Sequence, residues 1–225
     1  MKKKLFVTGT DTGVGKTMVS CALLAAFSRR GLTVSAMKPC ETGDGDDAER
    51  LIAASGRPLP FSEVSPFRFP LPASPEVAAR AAGGRVELST IERCYRALFS
   101  DADFMLVEGA GGLLVPLGPD WDMADLARAL ELPLLVVARP SLGTVNHTLL
   151  TLEAGRRRGL AIAGVIFSRT QPPAGPDEPT NPEAIATHGR TEIFGTLPRL
   201  ESSDPAALAE AAEEHLALDR LLERL

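Results

Sequence analysis

"VTGTDTGVGKT", residues 7–17, closes with the Gly-Lys-Thr of a phosphate-binding turn but spaces its glycines unusually. The common loop reads G-x-x-x-x-G-K-[ST]; here five residues separate Gly9 from Gly15-Lys16-Thr17, and Thr10 stands where the first glycine usually falls. Upstream, Leu5 to Val7 is a short apolar run. Downstream, Thr17 to Arg30 has helical periodicity ended by Gly31, so the stretch reads as strand, turn, helix. Glycines let backbone N–H groups converge on phosphate oxygens, and a helix N-terminus adds positive potential there. In that setting Lys16 would neutralise the outer phosphates and the Thr17 hydroxyl would ligate Mg²⁺. The plainer reading is a glycine-bearing turn with an exposed lysine.

Further along, short apolar runs alternate with amphipathic stretches. Thr33 to Met37, Phe104 to Val107, Leu134 to Ala138 and Ile162 to Phe167 read as buried strands, with Glu192 to Gly195 a weaker sixth. Helical patterns cover Ser89 to Leu98, Met123 to Leu130, Val145 to Arg158 and Ala206 to Leu222. Strands separated by helices need crossover connections, so an α/β fold is expected: a mostly parallel sheet flanked by helices on both faces. Ligands in such sheets sit at the carboxyl ends of the strands. Two proline-rich stretches, Pro58 to Pro75 and Pro172 to Pro182, read as loops within one domain, the second a candidate for partial disorder.

Bulk properties limit the partners. A chain of 225 residues, 44% hydrophobic, can bury a substantial core as a single domain spanning residues 1–225. A net charge of −5 gives no electrostatic reason to expect nucleic acid. Lys2 to Lys4 form a small basic cluster, but the apolar run after them is too short for a signal peptide or a membrane span, so a soluble, cytoplasmic protein is expected. Cys21, Cys40 and Cys94 are odd in number and lack the paired spacing of a zinc site; they read as free thiols in a reducing compartment.

Two more stretches carry chemistry. Asp103 to Gly112 is an apolar strand that delivers Glu108 at its carboxyl end before a glycine-rich turn, an arrangement that suits Mg²⁺ beside substrate phosphates. Alone, Glu108 could equally be an exposed strand-end acid. In "MKPCETGDGDDAERL", residues 37–51, Lys38 follows a strand at the same end of the sheet and could face an anionic substrate or a developing phosphoryl charge, on a surface cleft rather than in the core. Asp44, Asp46 and Asp47 could supply another metal ligand, or be solvated loop charges or helix caps.

Gly9 to Thr17, Lys38-Pro39, Val107 to Gly112, Met123 to Leu126 and Gly143 to Thr148 occur in the order and approximate spacing of the dethiobiotin synthetase family. The resemblance runs from about residue 5 to 200 of the chain. It implies a P-loop NTPase-like fold and a reaction: 7,8-diaminononanoate (7,8-diaminopelargonate), carbon dioxide and MgATP give a cyclic urea, ADP and phosphate, by way of a carbamate and a carbamic-phosphoric anhydride. Carried over by position, Thr12 and Lys38 would hold the diamine or its carbamate, with Thr42 and the segment Ser141, Leu142, Gly143 to Asn146 also on the substrate side. The resemblance assigns catalytic roles to Lys38, Lys16 and Thr12, and a Mg²⁺ site to Thr17, Asp47 and Glu108. Gly13, Val14, Gly15, Lys16, Thr17 and Met18 would cradle the phosphates, bordered by Gly109, Ala110 and Gly111. Ser168, Pro198, Arg199 and Leu200 would border the base. It further implies a homodimer in which Ser141 to Asn146 reaches the neighbouring subunit's substrate, where a helix N-terminus receives the carboxylate. His147 shares that motif and reads as structural.

Two positions depart from the family's pattern. Ser168 stands where many members place an asparagine that reads adenine, and one short hydroxyl cannot make a paired contact with a base edge, so the base contact is expected to be weaker or differently organised. Glu76 stands where many relatives have histidine. Other functions compete. A cobyrinate-type diamide synthase would carry a glutaminase domain for which the chain has no room. A partitioning-type ATPase acting as a switch would show K-G-G-x-G-K-T, whereas Thr10-Asp11-Thr12 has no such lysine. A nucleotide-binding module without turnover would have no use for Lys38.

Overall fold

In the computed structural model, residues 2–172, 175, 178–200 and 202–225 are described. The chain begins with β1 (Lys3–Gly9), α1 (Lys16–Arg29) and β2 (Val34–Met37), then β3 (Cys40–Thr42), α2 (Asp47–Ala54), α3 (Phe61–Val64), β4 (Phe67–Phe69) and α4 (Pro75–Ala81). Its middle carries α5 (Leu88–Phe99), β5 (Phe104–Gly112), β6 (Pro116–Gly118), β7 (Trp121–Asp122), α6 (Met123–Ala129) and β8 (Leu134–Ala138). It ends with α7 (Thr144–Arg157), β9 (Ile162–Ser168), α8 (Asn181–Gly189), β10 (Ile193–Leu197), α9 (Pro205–His215) and α10 (Leu218–Arg224).

The six apolar runs of the sequence become the six strands of one sheet, ordered β10-β9-β8-β1-β5-β2. Every neighbouring pair in it is parallel. From β1 the chain crosses to β2 at one edge, β5 fills the gap between them, and β8, β9 and β10 then extend the other side. The strand order therefore reverses at β1, and the Gly9–Thr17 loop leaves the carboxyl end of that strand, where a crevice opens in such sheets.

Alternate residues of the strands serve opposite faces. Leu135, Val137 and Ile166 belong to the larger core cluster, with Leu23 and Phe27 of α1 and Leu208 and Ala212 of α9. Val136, Ala138, Val165 and Phe167 form a second cluster with Leu152 of α7 and Ile185 of α8. Helices thus cover both faces. The larger cluster draws on residues from Leu5 to Leu221.

Three expectations change or narrow. Ala206 to Leu222 is two helices, because Leu216 turns extended (φ −120°, ψ 141°) and bridges to Gly195. A side chain at Gly195 would put Cβ 2.1 Å from the His215 carbonyl oxygen, so this break depends on a close approach that only glycine permits. For the acidic stretch before Ala48, the helix-cap reading is the one that matches Asp46, which caps α2 without a side-chain hydrogen bond; Ala48, Leu51 and Ala54 of that helix are buried. Pro58 to Pro75 contains α3 and β4. In the second proline-rich stretch, positions 173, 174, 176 and 177 lie outside the described residues, and Asn181 and Pro182 already belong to α8.

The basic N-terminus is spent on the protein itself. Lys2 donates to the carbonyls of Phe99 and Ser100 at the end of α5, and Lys3 to that of Leu222 in α10. Among the described residues no helix is long and apolar enough to cross a membrane. All three cysteines are free and buried. Burial pushes the Cys21 and Cys40 thiols up to about 12, so neither is poised to react.

Candidate active site

The odd glycine spacing has a steric cause. A Cβ at Gly9 would lie 2.7 Å from the Asp11 carbonyl oxygen and 3.0 Å from Lys16 Nζ, so the lengthened turn arches back over a residue with no side chain. Gly13 (φ 71°) and Gly15 (φ 93°) carry the left-handed backbone of the turn. Gly15 N-caps α1 without a side-chain hydrogen bond, and the first turn of α1 holds no acid. Its leading N–H groups are left for an anion. Lys16 is buried, and its Nζ donates to the Asp11 carbonyl at 3.2 Å. Burial first, and the nearby Lys38 charge second, lower its pKa to about 8.

Thr17, Lys38, Asp47 and Glu108, brought together from α1, the end of β2, α2 and β5, meet at one point. Lys38 Nζ lies 2.6 Å from Glu108 Oε1 and 2.7 Å from Asp47 Oδ2, and donates to the Gly109 carbonyl at 3.3 Å. Lys38 is 4% exposed and Glu108 fully buried. This corrects the surface-cleft expectation: the ammonium forms the floor of the cleft, not its rim. Burial alone would lower its pKa, but Glu108 and Asp47 more than reverse that and hold it above the ordinary lysine range. Asp47 is lowered in turn: burial acts against this, and Lys38 outweighs it.

Thr17 Oγ1 lies 2.8 Å from Asp47 Oδ1 and 2.9 Å from Glu108 Oε1. Carboxylates only accept, and one hydroxyl has one hydrogen, so both contacts cannot be satisfied at once. Glu108 Oε2 is buried with no hydrogen-bond partner among the described residues. A hydroxyl, two carboxylates and an orphaned carboxylate oxygen fit a small divalent cation, which typically takes one or two carboxylates and completes its shell with water and phosphate.

A cleft of about 330 Å³ opens above these groups. Of the residues singled out in the sequence, Thr12, Gly13, Gly15, Lys16, Thr17, Met18, Lys38, Thr42, Asp47, Ala110 and Gly111 line it. Val14 is fully buried beneath the loop. Sequence reasoning missed Cys40, Glu41, Gly45, Arg50 and Thr170, which also line it. Glu41 is the most consequential of these. Its Oε1 accepts from the Asp47 N–H at 2.7 Å and so braces the start of α2, while Oε2 faces Arg68 Nε at 3.1 Å. That second contact is an ion pair rather than an aligned hydrogen bond, since Oε2 has no hydrogen-bond partner. Burial raises the Glu41 pKa despite the backbone hydrogen bond and Arg68. An acid six residues before a helix-opening Asp was the available signal.

Other singled-out residues lie elsewhere. Ser168 is buried at the end of β9 and packs against the phosphate loop: a Cβ at Gly15 would fall 2.3 Å from Ser168 Oγ. Thr170, two residues on, reaches the cleft instead. Pro198, Arg199 and Leu200 follow β10, beside the Arg169 N–H that donates to the Leu197 carbonyl, and do not line the cleft. Ser141, Leu142, Gly143 and Asn146 also stand outside it, at the start of α7, with Leu142 88% exposed. Glu76 opens α4 and pairs with Arg80 at 2.6 Å.

Comparison with known proteins places the chain in a family. A family model described as an AAA domain matches residues 3–207. The ATP-dependent dethiobiotin synthetase BioD of Anaeromyxobacter sp. (strain K) is 51% identical, over 86% of this chain and 89% of that protein. The chain belongs to the dethiobiotin synthetase family. A second family member, the BioD of Bacillus licheniformis, is 36% identical over 99% of this chain and 97% of its own length. Among solved structures, the MinC:MinD cell division protein complex of Aquifex aeolicus aligns with TM-score 0.58 at 16% identity, covering 98% of this chain and 95% of that one. A ParA family ATPase from Chlorobium tepidum TLS gives 0.57 at 15%, covering 100% and 95%. These two share the synthetase's fold and nothing more specific.

Proposed function

We propose that this chain, acting as one domain over residues 1–225, is a dethiobiotin synthetase: it converts 7,8-diaminononanoate, carbon dioxide and MgATP to dethiobiotin, ADP and phosphate. The observation that carries the reading is the convergence of Lys16, Thr17, Lys38 and Asp47 on one cleft at the carboxyl ends of the strands, with Glu108 buried beneath it in contact with Lys38 and Thr17. One amine of the substrate attacks carbon dioxide to give a carbamate. A carbamate oxygen then attacks the γ-phosphorus as the bond to ADP breaks. The second amine attacks the carbamate carbon, and phosphate leaves with that oxygen. Every bond change lies between substrates, so the protein's work is positioning and charge stabilisation.

Lys38 suits this role as a fixed charge. Glu108 and Asp47 favour its ammonium form, so it stabilises the carbamate and the transferring phosphoryl group by charge rather than by accepting protons. Lys16 reaches the same phosphoryl group from the loop, and Thr12, at the exposed crown of the loop, and Thr42 border the diamine. Thr17, Asp47 and Glu108 would hold Mg²⁺, which when bound supplies charge neutralisation across the phosphates. The uncapped first turn of α1, with Gly13 to Met18, cradles the polyphosphate. A homodimer is proposed as well. Ser141 to Asn146 lie outside this protomer's cleft, and Leu114, Leu142 and Leu150 are exposed apolar side chains, as expected of a face that meets a second copy. The protein is proposed to act in the cytoplasm on small molecules, with no nucleic-acid or membrane partner.

The test is product formation by purified protein from the diamine, bicarbonate and MgATP, with one ADP released per dethiobiotin. Absence of dethiobiotin, with ATP hydrolysis stimulated by a protein partner, would favour the switch ATPase instead.

A further inference from the structure

Arg50 stands apart among the charged residues of the cleft. It lies on α2, three residues after Asp47, and so shares that residue's helix face and lines the same opening. It is half-buried. The contact made by its guanidinium is Nη2 to Met18 Sδ, at 2.7 Å. Among the described residues no carboxylate lies within ion-pairing distance of it. Arg30, Arg68 and Arg158, none of which lines the cleft, each hold two. A thioether sulfur is a weak acceptor, and a guanidinium presents five donors in a planar fork. Arg50 therefore carries unspent donors at the edge of a cleft in which Lys38 contacts two carboxylates and Lys16 a loop carbonyl.

Its position selects the ligand. Met18 directly follows Thr17 in the first turn of α1, so the guanidinium hangs beside the uncapped helix start that receives phosphate, on the α2 side. We propose that Arg50 is a nucleotide-binding residue, pairing with an oxygen of the α- or β-phosphate and setting affinity for the nucleoside polyphosphate. The idea rests on the cleft being the ATP site. It assigns to Arg50 uniform binding of the nucleotide, with no role in the chemical step, so that its loss weakens capture without slowing turnover at saturation.

The experiment is calorimetric binding of MgADP and MgATP to the wild type and to Arg50→Met and Arg50→Lys, with steady-state kinetics beside it. Arg50→Met breaks no ion pair and should melt with the wild type. Its Kd for both nucleotides should rise about tenfold or more, with KM for ATP rising in step and kcat and the KM for the diamine little changed. Arg50→Lys keeps the charge but not the fork and should fall between. Unchanged nucleotide affinity in both variants, or an effect confined to the KM for the diamine, overturns the assignment. Should Arg50→Met not fold, the binding data for Arg50→Lys decide alone. Because binding is read without turnover, a wild type that binds nucleotide but forms no dethiobiotin would refute the proposed reaction while leaving the role of Arg50 intact.

Discussion

Lys38 and Glu108, 70 positions apart in the chain, are joined by a 2.6 Å contact at the closed floor of the cleft, with Glu108 fully buried. Under the proposed mechanism, this pairing would make one lysine serve stability and catalysis together. Removing one member of a buried ion pair strands the other charge in a poorly solvated site.

Lys38→Ala should therefore abolish turnover and also destabilise the fold, by about 3–5 kcal/mol. Chemical denaturation of the purified variant checks this. Lys38→Met combined with Glu108→Gln should recover much of the stability and none of the activity. A single variant with the wild-type midpoint would show that the pair is solvated and the lysine exposed.

Lys16 gives the pH dependence a sign. Its folded-state pKa of about 8 lies below the ordinary 10.5, so between these values the unfolded chain binds more protons and stability rises with pH. Below about 8 the buried ammonium is a cost the fold bears in full. Polyphosphate should favour the charged form again, so nucleotide binding near about pH 9 should take up a proton, and binding near about pH 6.5 should take up almost none. Calorimetry in buffers of different ionisation enthalpy measures the uptake; equal uptake at both pH values would contradict this account of Lys16.

Much of this is legible in the amino-acid sequence. The six sheet strands are runs of branched aliphatics too short for helices, and Gly15-Lys16-Thr17 and Glu108 were placed at the strand ends that now form the cleft. What escaped reading depended on distant partners. For Asp44, Asp46 and Asp47 the sequence left metal ligand, loop charge and helix cap open, because the acceptor that braces the start of α2, Glu41, is only evident once the chain folds back. The break at Leu216 is imposed by Gly195, against the helical preference of the alanine-rich segment around it. Lys38 was expected at the same end of the sheet as the phosphate loop, where it lies, but at a shallower depth, since burial is set by the carboxylates of α2 and β5 and not by its own neighbours in sequence.

The packing of Ser168 on the phosphate loop predicts a difference between two glycines. Gly15→Ala meets both a left-handed backbone and Ser168 and should cost about 3 kcal/mol or more, whereas Gly13→Ala, with open space around it, should cost about 1. Adding Ser168→Gly should return part of the loss in the first variant alone, read as a coupling in thermal denaturation. Purely additive effects would mean that the two residues do not touch.

Glu41 should act through Asp47. Glu41→Ala removes the acceptor of the Asp47 N–H and should cost about 1–2 kcal/mol while raising the Mg²⁺ concentration needed for half-maximal nucleotide binding. Glu41→Gln keeps an oxygen in place and should retain most of the Mg²⁺ response. Titration of bound nucleotide against Mg²⁺ distinguishes them, and equal defects in the two variants would assign Glu41 to charge balance with Arg68 instead.

The central claim is that ATP phosphorylates a carbamate held over Lys38. The most direct measurement supplies bicarbonate labelled with heavy oxygen, the diamine and MgATP in a single turnover, and examines the released phosphate by mass spectrometry. The mechanism requires one labelled oxygen in phosphate for each dethiobiotin formed, because the carbamate oxygen departs on phosphorus. Phosphate that carries oxygen from solvent water and none from bicarbonate would contradict the account.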